Sequence, residues 1–265
     1  MSVVMPPMTR GQREAWSGLL DLSERHPTGW TLVGGQMVHL HCIERGVAPT
    51  RPTDDVDTVL DVRAEPGALH SFTTALVDLG FASTGESWEG HQHRWRRGEA
   101  QIDVLIPRHL GERAAGRRGA SGGTTIETPG AQQALDRTQT VEVVLDGRSG
   151  SVRRPSLLGA LVAKAAAHSV VLDRARSRHL VDFAVLTTLI RPSDSVGEAG
   201  RRDREHLETM LAALLADRRT WAGVEGADDG IARLRLALAP APEARAVDAD
   251  PFTRRLGSDP GSWRR

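Results

Sequence analysis

Residues 32–61, LVGGQMVHLHCIERGVAPTRPTDDVDTVLD, decide how this chain folds. A β-branched run ends in Gly34-Gly35, an amphipathic segment follows, and Asp55-Val56-Asp57 opens a second apolar run. The pattern predicts a strand end over 31–33, a glycine turn, a helix over 36–44 and a second strand over 56–62. Successive strand side chains point to opposite faces, so Asp55 and Asp57 share a face with Cβ atoms about 7 Å apart. Two carboxylates so placed repel each other unless a cation lies between them. A hard divalent ion suits the gap, since Mg²⁺ takes oxygen ligands at about 2.0–2.1 Å and keeps positions for water or phosphate oxygens. The glycine pair fits the same chemistry. A turn without Cβ atoms lets backbone N–H groups approach a phosphate, and the helix that it opens adds a favourable partial charge.

The spaced elements Gly34-Gly35 and Arg51-Pro52-Thr53-Asp54-Asp55-Val56-Asp57 resemble the signature of the DNA polymerase β-like nucleotidyltransferase superfamily. The R-x-T-x-D-x-D form is similar to the branch that holds AbiEii-type and MenT-type toxins, and also to antibiotic nucleotidyltransferases. The resemblance implies a third carboxylate on a neighbouring strand, and the run QIDVLI at 101–106 offers Asp103. It also implies a lysine on one helix and an aspartate on the next. Residues 157–186, LLGALVAKAAAHSVVLDRARSRHLVDFAVL, supply Lys164 and Asp182 at those places, with Arg174 and Arg178 between them. The likeness runs over roughly residues 30–190. It departs from the pattern in having Gly-Gly rather than Gly-Ser at the turn, which removes a hydroxyl that could touch phosphate.

Composition narrows the alternatives. The chain has 265 residues and 39% hydrophobic content, enough for a sizeable core. Lys+Arg and Asp+Glu both number 34, so no overall basic excess marks a nucleic-acid binder, and any such role needs a local patch. Of those 34 cations Lys164 is the single lysine, leaving 33 arginines. Cys42 is the sole cysteine, which excludes an intrachain disulfide and a Cys-rich zinc site, and its place on a helix predicts a small buried residue. No segment approaches 18 uninterrupted apolar residues, and MSVVMPPMTRGQRE lacks the order of a signal peptide. The expected location is cytoplasmic, with no membrane contact.

Further elements follow from periodicity. Helices are expected over 9–24 and 66–79, a strand beginning at 81–82, a hairpin over 91–97 and 100–106 joined at Gly98, and a strand over 140–145 turning at Asp146-Gly147. The Gly- and Arg-rich stretch 111–130 is expected to be a mobile loop. Beyond Val152-Arg153-Arg154 the pattern is helical: 155–168, 173–190, 201–217 and 229–238. The expected organisation is a nucleotidyltransferase domain at 1–150, a helical region at 151–240 and a disordered tail at 241–265. The fold class is therefore mixed α/β (α+β), a nucleotidyltransferase-type mixed sheet with flanking helices and a helical C-terminal part.

Individual residues carry competing readings. Lys164 shares a helix face with Leu157, Leu161 and His168, and it either snorkels to water or meets a specific anion. Asp182 either pairs with Arg178 one turn away or joins the site. The His39/His41 and His91/His93 pairs have no cysteine or HExxH partner and do not suggest zinc. The clusters Arg108/Arg113/Arg117/Arg118 and Arg148/Arg153/Arg154 either contact phosphates or are solvated.

The expectation from these residues and the resemblance together is an enzyme transferring NMP from an NTP to an acceptor, with pyrophosphate leaving. Asp55, Asp57 and Asp103 would hold two Mg²⁺ ions; Gly34, Gly35, Arg51, Thr53 and Lys164 would bind the nucleotide; Lys164 and Asp182 would complete the catalytic set. The resemblance implies an RNA end such as tRNA as acceptor and a toxin role with a cognate antitoxin protein. A small-molecule acceptor such as an aminoglycoside, or a catalytically inactive binding protein, are the alternatives.

Overall fold

The computed structural model describes residues 2–85, 90–170, 173 and 176–239. The expected disordered tail at 241–265, and Arg174, lie outside the described residues. The first half builds β1 (Val3–Val4), α1 (Arg10–Arg25), β2 (Trp30–Val33), α2 (Gly34–Glu44), β3 (Asp55–Leu60), α3 (Ala68–Asp78), β4 (Ala82–Ser83), β5 (Arg94–Arg97) and β6 (Ala100–Pro107). Then come α4 (Glu112–Ala115), β7 (Ile126–Thr128), α5 (Ala131–Asp136), β8 (Thr138–Leu145) and β9 (Arg148–Pro155). The rest is helical: α6 (Leu157–His168), α7 (Ser177–Thr188), α8 (Arg201–Ala216), α9 (Arg218–Trp221) and α10 (Ala227–Leu238).

The principal sheet is mixed, in the order β2-β3-β6-β5-β4, with β7 pairing beside the end of β6. Strands β3 and β6 are parallel, while β2 and β5 run antiparallel to their neighbours. The register sets one row across the sheet: Val33 opposite Asp57, Asp57 opposite Asp103, and Asp103 opposite Arg94. Directly paired residues project to the same face, so this row fixes which side chains meet. Along β3 the partly exposed Asp55 and Asp57 alternate with Val56 and Thr58, which are fully buried. A second, three-stranded sheet has the order β1-β8-β9.

Apolar periodicity explains the layers. Helix α1 begins with a capping box in which Thr9 accepts from the Gln12 amide N–H, and its buried face carries Trp16, Leu19, Leu20 and Leu22. Trp16, Trp30, Trp95, Phe72 and Phe81 are nearly inaccessible, and one apolar cluster runs from these residues to Leu180, Leu207 and Leu234 in the C-terminal helices.

The mixed sheet with flanking helices agrees with the expected class. Four local expectations change. Strand β9 was not anticipated, because RSGSVRRP lacks apolar alternation; its backbone pairs along all of β8. Residues 111–130 are not a loop throughout: they contain α4 and β7, and the Thr125 hydroxyl donates to the Val104 carbonyl. Helix α7 begins at Ser177 rather than 173, and the first strand of the 91–106 hairpin begins at Arg94, with His91 in an isolated bridge to Thr124. No helix among the described residues is long and apolar enough to cross a membrane.

Helix α10 reaches α7 through Gly230, where an added Cβ would lie 2.6 Å from the Thr187 carbonyl carbon. Helix propensity favours alanine over glycine by about 1 kcal/mol, but a backbone contact cannot yield as a flexible side chain can. Gly230→Ala should therefore destabilise the protein by about 1–3 kcal/mol in denaturant unfolding. Stabilisation would show that α10 is free to shift.

Candidate active site

The site begins where β2 runs into α2. Gly34 has φ +69°, and a Cβ there would lie 1.7 Å from Asp57 Oδ2. Glycine is required on both counts: the left-handed backbone is costly for other residues, and the carboxylate fills the side-chain space. At Gly35 an added Cβ would meet Thr53 Oγ1 at 2.6 Å. The glycine pair thus lets the first turn of α2 rest directly on the Asp-x-Asp strand. This turn has no side-chain cap, so no cap residue occupies its backbone donors.

The segment leading into β3 is pinned along α2. Gln36 Nε2 donates to the Thr53 carbonyl at 2.7 Å and Gln12 Nε2 donates to the same oxygen at 2.8 Å. Trp16 Nε1 donates to Gln36 Oε1 at 3.0 Å, orienting the amide. Thr53 Oγ1 in turn donates to Asp55 Oδ1 at 2.9 Å. Thr53 is therefore a support for Asp55, and its side chain lies against Gly35.

Asp55, Asp57 and Asp103 converge, each offering a carboxylate oxygen within 4.8 Å of the others. The charge they concentrate is visible in Asp57. Burial first, and then the neighbouring Asp55 and Asp103, push its carboxyl up to about 7, against the opposing pull of Lys164 and Arg178. Oxygen-only donors, mutual repulsion and an adjacent helix N-terminus form a set suited to a hard divalent ion with anionic ligands of its own. One feature was not foreseen: Asp103 is held bidentately by Arg94, with Nε donating to Oδ1 at 3.1 Å and Nη2 to Oδ2 at 2.9 Å.

Asp182 and Lys164 meet beside this cluster. Lys164 is only 4% exposed, and its Nζ donates to Asp182 Oδ2 at 2.7 Å. Arg51 reaches the same carboxylate from the other side, Nε at 2.7 Å and Nη2 at 2.8 Å. Burial alone would raise the Asp182 carboxyl; Lys164 and Arg51 reverse this and hold it at about 2. The solvated Arg178–Asp182 pair is not formed: Arg178 approaches Asp173 instead, at 3.4 Å. Arg51 thus ties the N-terminal motif to α7, while His39 contacts the Arg51 carbonyl at 2.8 Å and orders that turn.

A cleft of about 1140 Å³ is lined by Gly34 and Asp57 together with Lys164, Arg178 and His179. Its floor and rim include Leu105, Ile126 and Pro129, so the segment expected to be a mobile loop contributes to the wall. His179 donates through Nε2 to Asp173 at 3.0 Å, and burial together with Lys164 lowers it to about 4, leaving it neutral. Cys42 is buried, and its thiol is pushed up to about 11 mainly by that burial. The structure therefore brings together Gly34, Gly35, Arg51, Thr53, Asp55, Asp57, Asp103, Lys164 and Asp182. Sequence reading missed Arg94, although a two-residue turn at Gly98-Glu99 pairs 97 with 100 and hence 94 with 103.

No family model and no curated protein matches the sequence. Among solved structures, the chain is similar to an antigenic nucleotidyltransferase-like protein from Paracoccidioides brasiliensis, at 16% identity and a TM-score of 0.49, over 82% of this chain and 95% of that one. It is also similar to the antibiotic-resistance factor ANT(2'')-Ia in solution, at 14% identity and a TM-score of 0.36, over 86% and 94% of the two chains. A crystal structure of that factor with adenylyl-2''-tobramycin gives 14% identity and a TM-score of 0.35. These are likenesses of outline, and no activity follows from them.

Two predictions arise from the electrostatics. Because the folded-state pKa of Asp57 is raised from 3.8 to about 7, the proton is bound more tightly in the folded protein, and metal-free stability should fall as pH rises through that window. Asp57→Asn should remove this slope and stabilise the metal-free protein at pH 8 by about 1–2 kcal/mol, after allowance for screening at a partly exposed group. Parallel wild-type and variant stability curves from pH 4 to 8 would contradict it. Conversely, Asp182→Ala leaves a buried ammonium without its partner and should cost about 3–5 kcal/mol in denaturant unfolding; a loss below about 1 kcal/mol would show that the ion triad does not bind the two halves.

Proposed function

We propose that this protein is a metal-dependent nucleotidyltransferase that transfers NMP from an NTP to an RNA end such as that of tRNA, in the manner of a toxin of a toxin–antitoxin pair. The observation that carries this reading is the convergence of Asp55, Asp57 and Asp103 at the uncapped first turn of α2, with Gly34 and Asp57 lining an open cleft. Asp55 and Asp57 would hold Mg²⁺. Bound there, Mg²⁺ would supply Lewis-acid stabilisation of charge on the α-phosphate and the departing pyrophosphate.

The chain's own groups do the rest. Backbone N–H groups at Gly34 and Gly35 would bind phosphate oxygens, since the helix that they open has no side-chain cap. Lys164, fixed by Asp182 and lining the same cleft as Asp57, would offset charge on the leaving phosphates without the freedom of a surface lysine. The acceptor hydroxyl attacks the α-phosphorus, forming a P–O bond as the bond to the bridging oxygen of pyrophosphate breaks. Its proton passes to Asp103, which would also be the third carboxylate ligand of the metal.

The cleft lining carries both signs of charge, Arg108, Lys164 and Arg178 beside Asp57, Glu127 and Asp173, and the arginines are what support an anionic acceptor. Arg108 lines it without a carboxylate partner among the described residues, and Arg113, Arg117 and Arg118 follow in the segment whose Ala115 also lines it. Phosphates of an RNA end would meet these arginines.

Incubation with each α-labelled NTP, Mg²⁺ and total tRNA should transfer label to RNA. Asp55→Asn and Asp57→Asn should each reduce transfer by at least about 100-fold while keeping the melting temperature within a few degrees or raising it. Label on an aminoglycoside in place of RNA would overturn the acceptor. Absence of transfer to either acceptor class, with no Mg²⁺-dependent NTP binding, would overturn the enzyme reading.

A further inference from the structure

The row across the sheet sets two ionisable side chains directly beside Asp103, the carboxylate of Asp57 on one side and the guanidinium of Arg94 on the other. Strand β5 pairs with β6 so that Arg94 stands opposite Asp103, which itself stands opposite Asp57. Both oxygens of Asp103 accept from the Arg94 guanidinium, a fork-to-fork arrangement that is among the stronger side-chain pairings. The two partners differ in exposure: the Asp103 side chain is 7% exposed and Arg94 40% exposed. Asp103 is thus fixed from within the sheet, while the guanidinium has room to leave toward solvent.

This pairing bears on cation binding. A carboxylate whose two oxygens already serve a guanidinium is a weak ligand until that guanidinium moves, because a cation arriving nearby is repelled by the arginine and must displace its hydrogen bonds. Among the described residues no guanidinium or ammonium hydrogen-bonds to Asp55 or Asp57: Asp55 accepts from the neutral Thr53 hydroxyl, and Asp57 lies against Gly34. The cluster is therefore unequal, with two ligands available and one held.

We propose that Arg94 is a built-in counter-cation for Asp103, a positioning residue that keeps the third carboxylate out of the metal site until a metal-bound polyphosphate displaces it. The proposal rests on the reading of Asp55, Asp57 and Asp103 as a metal site. Displaced, the guanidinium remains within the same charge field and is a ready partner for phosphate, so its charge is moved from one anion to another. A metal ion without polyphosphate, by contrast, gains only two carboxylates from the protein.

The experiment is a double-mutant cycle on Mn²⁺ binding in the absence of nucleotide, read by the electron paramagnetic resonance signal of free Mn²⁺, with thermal melting of each variant. Arg94→Gln should bind Mn²⁺ about tenfold or more tightly than wild type, and Arg94→Lys should stay near wild type because a cation is retained. Asp103→Asn should change wild-type affinity by less than about threefold, yet abolish the gain in the Arg94→Gln background. Equal or weaker Mn²⁺ binding by Arg94→Gln at an unchanged melting temperature, with Asp103→Asn weakening wild type, would overturn the counter-cation and leave the metal site standing. Absence of Mn²⁺ binding in wild type and every variant would overturn both. If Arg94→Gln does not fold, Arg94→Lys and the Asp103→Asn single variant still decide the matter: a loss of tenfold or more on Asp103→Asn alone contradicts the proposal.

Discussion

The carboxylate of Asp57 fills the space that a side chain at position 34 would need, and this close approach organises the site. It requires glycine at the β2–α2 corner, which lets the helix start against the strand. Once β3 is fixed by that contact, its parallel pairing with β6 places Asp103 beside Asp57, and the antiparallel pairing with β5 places Arg94 beside Asp103. One steric constraint thus assembles a helix N-terminus and a carboxylate cluster. The energetic consequence is a carboxyl raised to about 7, by burial first and then by the charges of Asp55 and Asp103.

Charge around the cluster is distributed unevenly. Asp182 has two cations, Lys164 and Arg51, and is held at about 2; Asp103 has Arg94; Asp57 lies in the fields of Lys164, Arg178, Arg51 and Arg94 without a hydrogen bond to any of them among the described residues. A buried carboxylate that is so fully satisfied serves mainly to place its partners. Asp182 orients Lys164 in the cleft and draws Arg51, at the end of the loop before β3, onto α7. Coupling between the motif strand and the C-terminal helices therefore passes through an ion triad as well as through the shared apolar core.

Much of this was legible in the sequence because the signals are local. Gly34-Gly35 and the alternation through Asp55 and Asp57 gave a turn and a strand, and the alternation around Asp103 gave it a strand face. Lys164 stood out as the single lysine of a chain with 33 arginines. The partners were less accessible, since they depend on tertiary contacts: nothing local in RHLVDF says that Asp182 turns toward Lys164 and Arg51 rather than toward Arg178. Strand β9 escaped because its residues are chosen by ion pairs, such as Arg154 with Glu44, more than by burial alternation. The Gly- and Arg-rich stretch 111–130 read as mobile on composition, yet Thr125 and Ile126 are held against β6 by a hydroxyl bond and backbone pairing.

The central claim is that Asp55 and Asp57 form a divalent-cation site facing a nucleotide-sized cleft. The most direct measurement is an anomalous difference map from crystals grown with Mn²⁺ and a non-hydrolysable NTP. The account predicts an anomalous peak bridging Asp55 and Asp57, with the nucleotide phosphates against Gly34 and Gly35. A nucleotide seated elsewhere, or Mn²⁺ bound away from these two carboxylates, would contradict it.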